Sequence, residues 1–309
     1  MSALPLPADA PWIDTHAHLD APEFDSLRPA VIERARAAGV GCVVIPAVHP
    51  EHFAQVRALA HAHGLAYALG VHPLYVAGLS RDALQLVDEG LQQGRDDPHL
   101  VAVGEIGLDH LVAVDAGQRA EQDWWWQRQL DLAARFGLPV LLHVRRAQDA
   151  VAAALRRRDW GARGLGGIAH AFNGSPQQAQ AFIAQGLCLG LGGTLSFERA
   201  RNIRRLAQGL DPRCLVLETD APDMAPQWLA AASPRRPNEP AELPRIGGVL
   251  ASLRDCSAEQ AAALTSGNAL RVLPRLRQLL QGMQGMQGMR QPILPRGPGG
   301  LERAASAPM

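Results

Sequence analysis

The chain has 309 residues, 47% hydrophobic and 19% charged, with a formal net charge of zero. That composition suits a globular protein with a sizeable core, and it leaves no global basic field to hold nucleic acid nonspecifically, so an anionic substrate would need local charge or a bound cation. All 30 basic residues are arginine, and the absence of lysine excludes both a Schiff-base lysine and a carbamylated-lysine metal bridge.

Residues 1–10 are rich in Pro and Ala and read as a flexible arm. This start has neither a basic cluster nor a long apolar stretch, and no run approaches the roughly 20 apolar residues of a membrane helix, so a cytoplasmic protein without a membrane partner is expected. From Trp12 onward, short apolar runs suited to buried strands alternate with longer segments of helical period. The runs are "WIDTH" (12–16), "GCVVIPAV" (41–48), "AYALGVHP" (66–73), "LVAVGEIGLD" (100–109), "PVLLHV" (139–144), "LGGIAHAF" (165–172), "LCLGLGG" (187–193) and "CLVLETD" (214–220). Several intervening segments end in Gly, as a helix C-terminus should. After the eighth run come a Pro-rich stretch (222–244), a helix at about 242–254 and two short helices at about 257–265 and 268–280.

Eight strand-helix units in about 250 residues predict an α/β fold, a (β/α)8 TIM barrel over residues 11–280, with an open doubly wound sheet as the alternative. The Gln-Gly-Met repeat and the Pro- and Gly-rich end, 281–309, read as a disordered low-complexity tail. Cys42, Cys188, Cys214 and Cys256 are widely spaced, form no CxxC, and read as buried thiols.

In such a barrel the reactive residues sit at the C-terminal ends of the strands. The first run ends in His16 and His18, the third in His72, the fourth in Glu105, the fifth in His143, the sixth in His170 and the eighth in Asp220. Residues i and i+2 of a strand share a face, so His16 and His18 can converge on one ion. His61 and His63 have the same spacing within a helix and point apart. Four histidines and two carboxylates exceed what one ion with an open position requires, so two divalent ions (Mg, Mn or Zn) are expected. One would be held by His16, His18 and Asp220, the other by His143 and His170, with Glu105 bridging. Two such cations would activate a water and stabilise the attacking and leaving oxygens of a displacement.

The ordered series "DTHAHLD", "GVHP", "GEIGLD", "PVLLHVRR", "HAFNGS", "GGT", "ETDAPDM" and "RRPNEP" resembles the motifs of TatD-type metal-dependent hydrolases, a branch of the amidohydrolase-like TIM barrels. It runs from about Trp12 to about Leu279. The resemblance implies a metal-dependent deoxyribonuclease, often a 3′-to-5′ exonuclease on single strands, with His16, His18, Glu105, His143, His170 and Asp220 as ligands. It also implies that His72 contacts the substrate phosphate. Two positions depart from the pattern: His110 replaces an aromatic, and Arg146 stands where many relatives carry Asp. On either reading an activated water attacks phosphorus in line, with Asp220 and Glu105 catalytic, Asp220 orienting the water and accepting its proton. Arg145, two residues past His143, is placed to reach a phosphate bidentately.

Single-stranded DNA ends or a small phosphoester are the expected partners, and no obligate protein partner is implied. The alternative is a hydrolase of a small ester, lactone or cyclic amide on the same barrel, which a narrow closed pocket would favour. A non-enzymatic binding protein is a third reading, which the full ligand set argues against. His49, His52, His61, His63 and His99 read as solvated residues without converging partners, and the arginines at 156–158, 199, 201, 204 and 205 as solvated helix faces. Of Trp124, Trp125 and Trp126, consecutive on a helix, at most two can pack on the barrel, and base stacking is a minor reading. The resemblance to the family implies that Asn238 and Glu239, in the loop after the last strand, close the site structurally, while the glycines of "GLGG" (190–193) are expected to serve tight strand packing.

Overall fold

The computed structural model describes residues 11–232 and 236–289. Among them, eight strands run parallel in chain order: β1 Trp12–Asp14, β2 Val40–Pro46, β3 Ala66–Leu69, β4 Leu100–Asp109, β5 Val140–Arg145, β6 Gly167–Ala169, β7 Leu187–Leu191 and β8 Leu215–Leu217. The sheet closes just past the ends of β1 and β8. There Thr15 N–H donates to the Leu217 carbonyl at 3.1 Å and Asp220 N–H to the His16 carbonyl at 2.8 Å. The closed TIM barrel is the predicted one, and its closing bonds run through residues of the predicted site.

A helix follows each of the first seven strands: α1 Arg28–Ala37, α2 Phe53–His63, α3 Leu84–Gln93, α4 Ala116–Phe136, α5 Gln148–Arg157, α6 Pro176–Ile183 and α7 Arg201–Gly209. A short α8 Gln227–Ala230 follows β8, then α9 Leu243–Leu253, α10 Ala258–Val272 and α11 Pro274–Met289. Local chemistry marks their ends. Asp115 with Gln118 and Ser175 with Gln178 form capping boxes on α4 and α6, while Gly64 and Gly137 end α2 and α4 in the left-handed conformation.

Strand alternation sorts the core into two layers. Small residues such as Cys42, Val44, Ala66, Ala68 and Cys188 fill the barrel interior, which Leu273, Leu276 and Leu279 plug from the α10–α11 junction. Larger residues, among them Val43, Ile45, Trp125 and Trp126, pack between strands and helices.

Several expectations are corrected. The two short helices at 257–265 and 268–280 are instead α10 and α11, with the break at Leu273–Pro274. Ser266 and Gly267 do not interrupt α10, because Asn268 anchors it through bonds to the Pro212 and Leu215 carbonyls, whereas Pro274 can only begin a helix. α11 then runs through the Gln-Gly-Met repeat to Met289, since Gln and Met favour helix and Met283 packs on the plugged interior. The expected arm, 1–10, and the rest of the tail, 290–309, lie outside the described residues. Cys42 and Cys188 are buried, but Cys214 and Cys256 are only half-buried, and all four are free thiols.

At the N-terminal end of the barrel, away from the predicted site, His61 and His99 do converge: their rings stack at 4.1 Å, and His61 Nε2 lies 2.7 Å from Asp97 Oδ2. Asp97 also accepts from Tyr67 Oη and the His99 N–H and lies 3.5 Å from Arg57. It clamps α2 to the segment before β4. Trp125 and Trp126 are buried, while Trp124 is half-buried with the Arg81 guanidinium 4.6 Å above its ring, which leaves base stacking little room.

Candidate active site

The strand ends deliver the predicted side chains to one cluster, organised by the buried carboxylate of Glu105. Its Oε2 lies 3.1 Å from His16 Nε2 and 3.5 Å from His18 Nε2. Asp220 Oδ1 closes that side, 3.5 Å from His16 Nε2 and 3.7 Å from His18 Nε2. Its Oε1 faces the other side, 2.8 Å from His170 Nε2, 3.0 Å from His143 Nδ1 and 3.2 Å from His72 Nε2. All six expected ligands therefore meet. His72 lies inside the cluster as well as in the cavity wall, its Nδ1 accepting the Leu74 N–H.

Carboxylates that the sequence reading passed over support the cluster from behind. Asp109 Oδ2 lies 3.1 Å from His143 Nε2, and its Oδ1 accepts the N–H groups of Leu111 and Val112. Glu218 accepts the Ala171 N–H and lies 3.8 Å from His170 Nδ1. Asp14 joins β1 to the segment after β8, accepting from the His16 N–H and from both the N–H and hydroxyl of Thr219. Asp14 and Asp109 stand in the strands and Glu218 two residues before Asp220, so the residue before or after each ligand by two or four was the signal. Asn238 donates to the Thr219 and Asp223 carbonyls, and Glu239 pairs with Arg34. Both hold the loop after β8, as a closing role requires.

The electrostatics follow from burial set against opposite charge. Burial would raise Glu105, but His170, His72 and His16 together hold it well below the ordinary carboxylate range. Burial and the nearby His170 push His16 down to about 3. Against the same burial, Glu105 and Asp220 lift His18 to about 9 and His170 to about 10. Burial raises Asp14 to about 7 and Glu218 to about 8. The protons concentrated here compete with a cation for the same nitrogen atoms.

The donor set fits a metal centre. The ligand atoms of His16, His18 and Asp220, of His16, Glu105 and His170, and of His72, Glu105 and His143 each lie within 4.8 Å of one another, and imidazole with carboxylate suits Zn, Mn or, with more oxygen, Mg. The cluster opens into a cavity of about 1140 Å³ whose wall includes Asp20, His52, Tyr75, Arg145, Arg146 and Asn173. Arg145 and Arg146 are exposed at its rim, and His110 is not part of its wall. His52, expected to be solvated without a converging partner, is partly exposed and lines this cavity. A separate cavity of about 250 Å³ beside α1, α2 and Met283 has no part in the cluster.

Residues 13–274 match the family model described as TatD related DNase. The chain belongs to that family. It is 40% identical over 258 residues to the uncharacterized metal-dependent hydrolase YjjV of Escherichia coli K12, a match covering 83% of this chain and 95% of the relative. It is 33% identical over 259 residues to the 3′-5′ ssDNA/RNA exonuclease TatD of a Pantoea species, covering 83% and 96%. The crystal structure of the E. coli YjjV TatD homologue superposes with a TM-score of 0.78 at 38% identity, covering 86% of this chain and 99% of that one. A TatD family hydrolase from Entamoeba histolytica shares the fold at TM-score 0.73 and 17% identity, covering 85% and 98%. This TatD family member is a metal-dependent hydrolase. Among its described residues no helix is long and apolar enough to cross a membrane.

Proposed function

We propose that this hydrolase is a nuclease that removes nucleotides from the 3′ ends of single-stranded DNA with the help of two divalent ions. The observation that carries the reading is the division of Glu105, whose two oxygens face separate groups of donors. His16, His18 and Asp220 would hold one ion and His143 and His170 the other, with Glu105 shared. Bound there, such a pair supplies Lewis acidity: it lowers the pKa of a water and stabilises the oxygens that attack and depart from phosphorus.

The chain's own residues do the rest. Asp220, at the edge of the cluster and in the cavity wall, orients the attacking water and accepts its proton. Arg145 offers a planar fork of donors to the phosphate, and His72, in the same cavity wall, is the second residue placed to contact that group. Asp109 fixes the ring of His143, so that its donor atom is aimed before substrate arrives, and Glu218 places negative charge 3.8 Å behind His170. The cavity is open, which suits a strand of nucleic acid better than a small lactone or cyclic amide. Relatives named as exonucleases support the choice of substrate.

The test is digestion of a single-stranded oligonucleotide labelled at either end, with Mg or Mn, a chelator control, and His16→Ala protein as the contamination control. Chelator-sensitive shortening from the 3′ end, missing in the variant, is expected. Metal-loaded protein that leaves the strand intact would overturn the reading.

A further inference from the structure

The cavity carries opposite charge on opposite walls. In a barrel whose eight strands neighbour one another in chain order, β1 and β5 stand across from each other. The loop after β1 brings Asp20 and Glu23 to the cavity, and the end of β5 brings Arg145 and Arg146. Asp25, on the same loop as Asp20, is paired with Arg28 at 2.7 Å. Arg28 also donates to the Leu19, Asp20 and Ala21 carbonyls, so that its charge holds the loop in shape.

Asp20 is the unusual member. Its side chain is only 7% exposed, and among the described residues Oδ1 has no hydrogen-bond partner. The nearest imidazole is His52, with Nδ1 3.9 Å from Asp20 Oδ2 and likewise without a partner. Gln55 donates to the Asp20 carbonyl and ties the two elements together. A buried acceptor and a ring nitrogen left unpaired side by side are complementary to a group that both donates and accepts. A hydroxyl does both. A phosphate in its place would set its charge against Asp20 and Glu23.

We infer that Asp20 and His52 read the free 3′-hydroxyl of the terminal nucleotide, and that the rest of the strand leaves across Arg145 and Arg146. This rests on the nuclease reading and adds how the strand is oriented in it. Cleaving one nucleotide from a 3′ end places a single nucleoside on one side of the scissile phosphate and the whole chain on the other. The acidic wall suits the neutral end. The arginine wall suits the run of phosphates, because Arg145 is 56% exposed and, among the described residues, has only the Asp109 carboxylate near it, at 3.9 Å. The pair is a specificity device: it admits an end that can donate to a carboxylate and rejects one that is phosphorylated or continues as chain.

The experiment compares kcat and KM for one single-stranded oligonucleotide ending in a 3′-hydroxyl or a 3′-phosphate, with Mg or Mn, using wild-type protein and the Asp20→Asn, His52→Ala and Arg146→Ala variants. Bound metal is measured on each protein. The wild type is expected to favour the hydroxyl end by about tenfold or more, the scale set by one hydrogen bond to a charged group. Asp20→Asn and His52→Ala should shrink that ratio, chiefly through KM for the hydroxyl end, at unchanged metal content. Arg146→Ala should raise KM for both ends alike and leave the ratio intact. An unchanged ratio in both Asp20→Asn and His52→Ala overturns the inference alone. Lower metal content with equal loss on both substrates also overturns it, assigning Asp20 to the metal cluster and not to the strand end. A wild type that shortens neither strand overturns the nuclease reading and this inference with it.

Discussion

Asp109 Oδ2 lies 3.1 Å from His143 Nε2, while Glu105 Oε1 lies 3.0 Å from Nδ1 of the same ring. The imidazole is held between two carboxylates, one in the cluster and one behind it. Asp109 is itself fixed, since its N–H donates to buried Gln122. A carboxylate behind a ligand histidine sets its tautomer and orientation, and its loss typically costs about 10- to 100-fold in metal affinity or activity. Asp109→Asn is therefore expected to weaken metal binding by that amount with the fold retained, measured by metal titration followed calorimetrically. Wild-type affinity in the variant would show that Asp109 acts on the loop after β4 and not on His143.

Glu105→Gln removes the charge both halves of the cluster share. The variant should retain less than one equivalent of divalent metal after dialysis and lose at least about 100-fold in turnover. Metal analysis beside a circular dichroism spectrum checks this. Two retained equivalents would remove Glu105 from the bridging position.

Asp220 adopts a left-handed backbone, φ 57°, which Asn tolerates better than most residues. Its N–H bond to the His16 carbonyl also survives the exchange. Asp220→Asn should therefore keep the thermal midpoint near that of the wild type while turnover falls by about 10²- to 10⁴-fold, the range for loss of a general base. Near-normal turnover would take Asp220 out of the chemistry.

Asp97 supplies a pH-dependent part of stability. Burial would raise its pKa, but bonds from His61, the His99 N–H and Tyr67 hold it below its ordinary 3.8. A carboxyl lowered on folding stabilises the protein above its unfolded value, and that contribution disappears as pH falls through the folded value. Asp97→Asn should cost about 1–3 kcal/mol near pH 7, the range for unsatisfied buried partners, and less at pH 3. Urea unfolding at both pH values measures the difference, and equal losses would assign the effect to packing.

Gly190 lies in β7 where an added Cβ would collide with the Glu218 carboxylate. Gly190→Ala is expected to destabilise the fold by about 1–3 kcal/mol, as overpacking does, and to weaken metal binding by displacing the carboxylate beside His170. Thermal unfolding with and without added metal separates the two effects. The close approach gives the "GLGG" run a packing role at this position.

Period and punctuation made the barrel legible. Each apolar run from "WIDTH" to "CLVLETD" contains one of the strands or falls one residue short of it, at Val40 and Arg145, because a strand buried on both faces is apolar along most of its length. The six residues that meet at Glu105 were legible for the same reason: parallel strands bring all their C-terminal ends to one face. Helix boundaries late in the chain were not, because Asn268 and Met283 find their partners in distant segments that no local window contains.

Local period and the place of each ligand in its strand were enough to read the strand-helix alternation and the placing of His16, His18, Glu105, His143, His170 and Asp220 at strand ends, with a barrel favoured over an open sheet. The closure of the sheet, which oxygen of Glu105 faces which histidines, the carboxylates of Asp109, Glu218 and Asp14 behind them, and the meeting of Asp20 and His52 in one cavity wall across from Arg145 and Arg146 came from the folded chain alone. Those relations depend on distances between strands far apart in the chain, and a one-dimensional pattern carries no such distance until the barrel has closed.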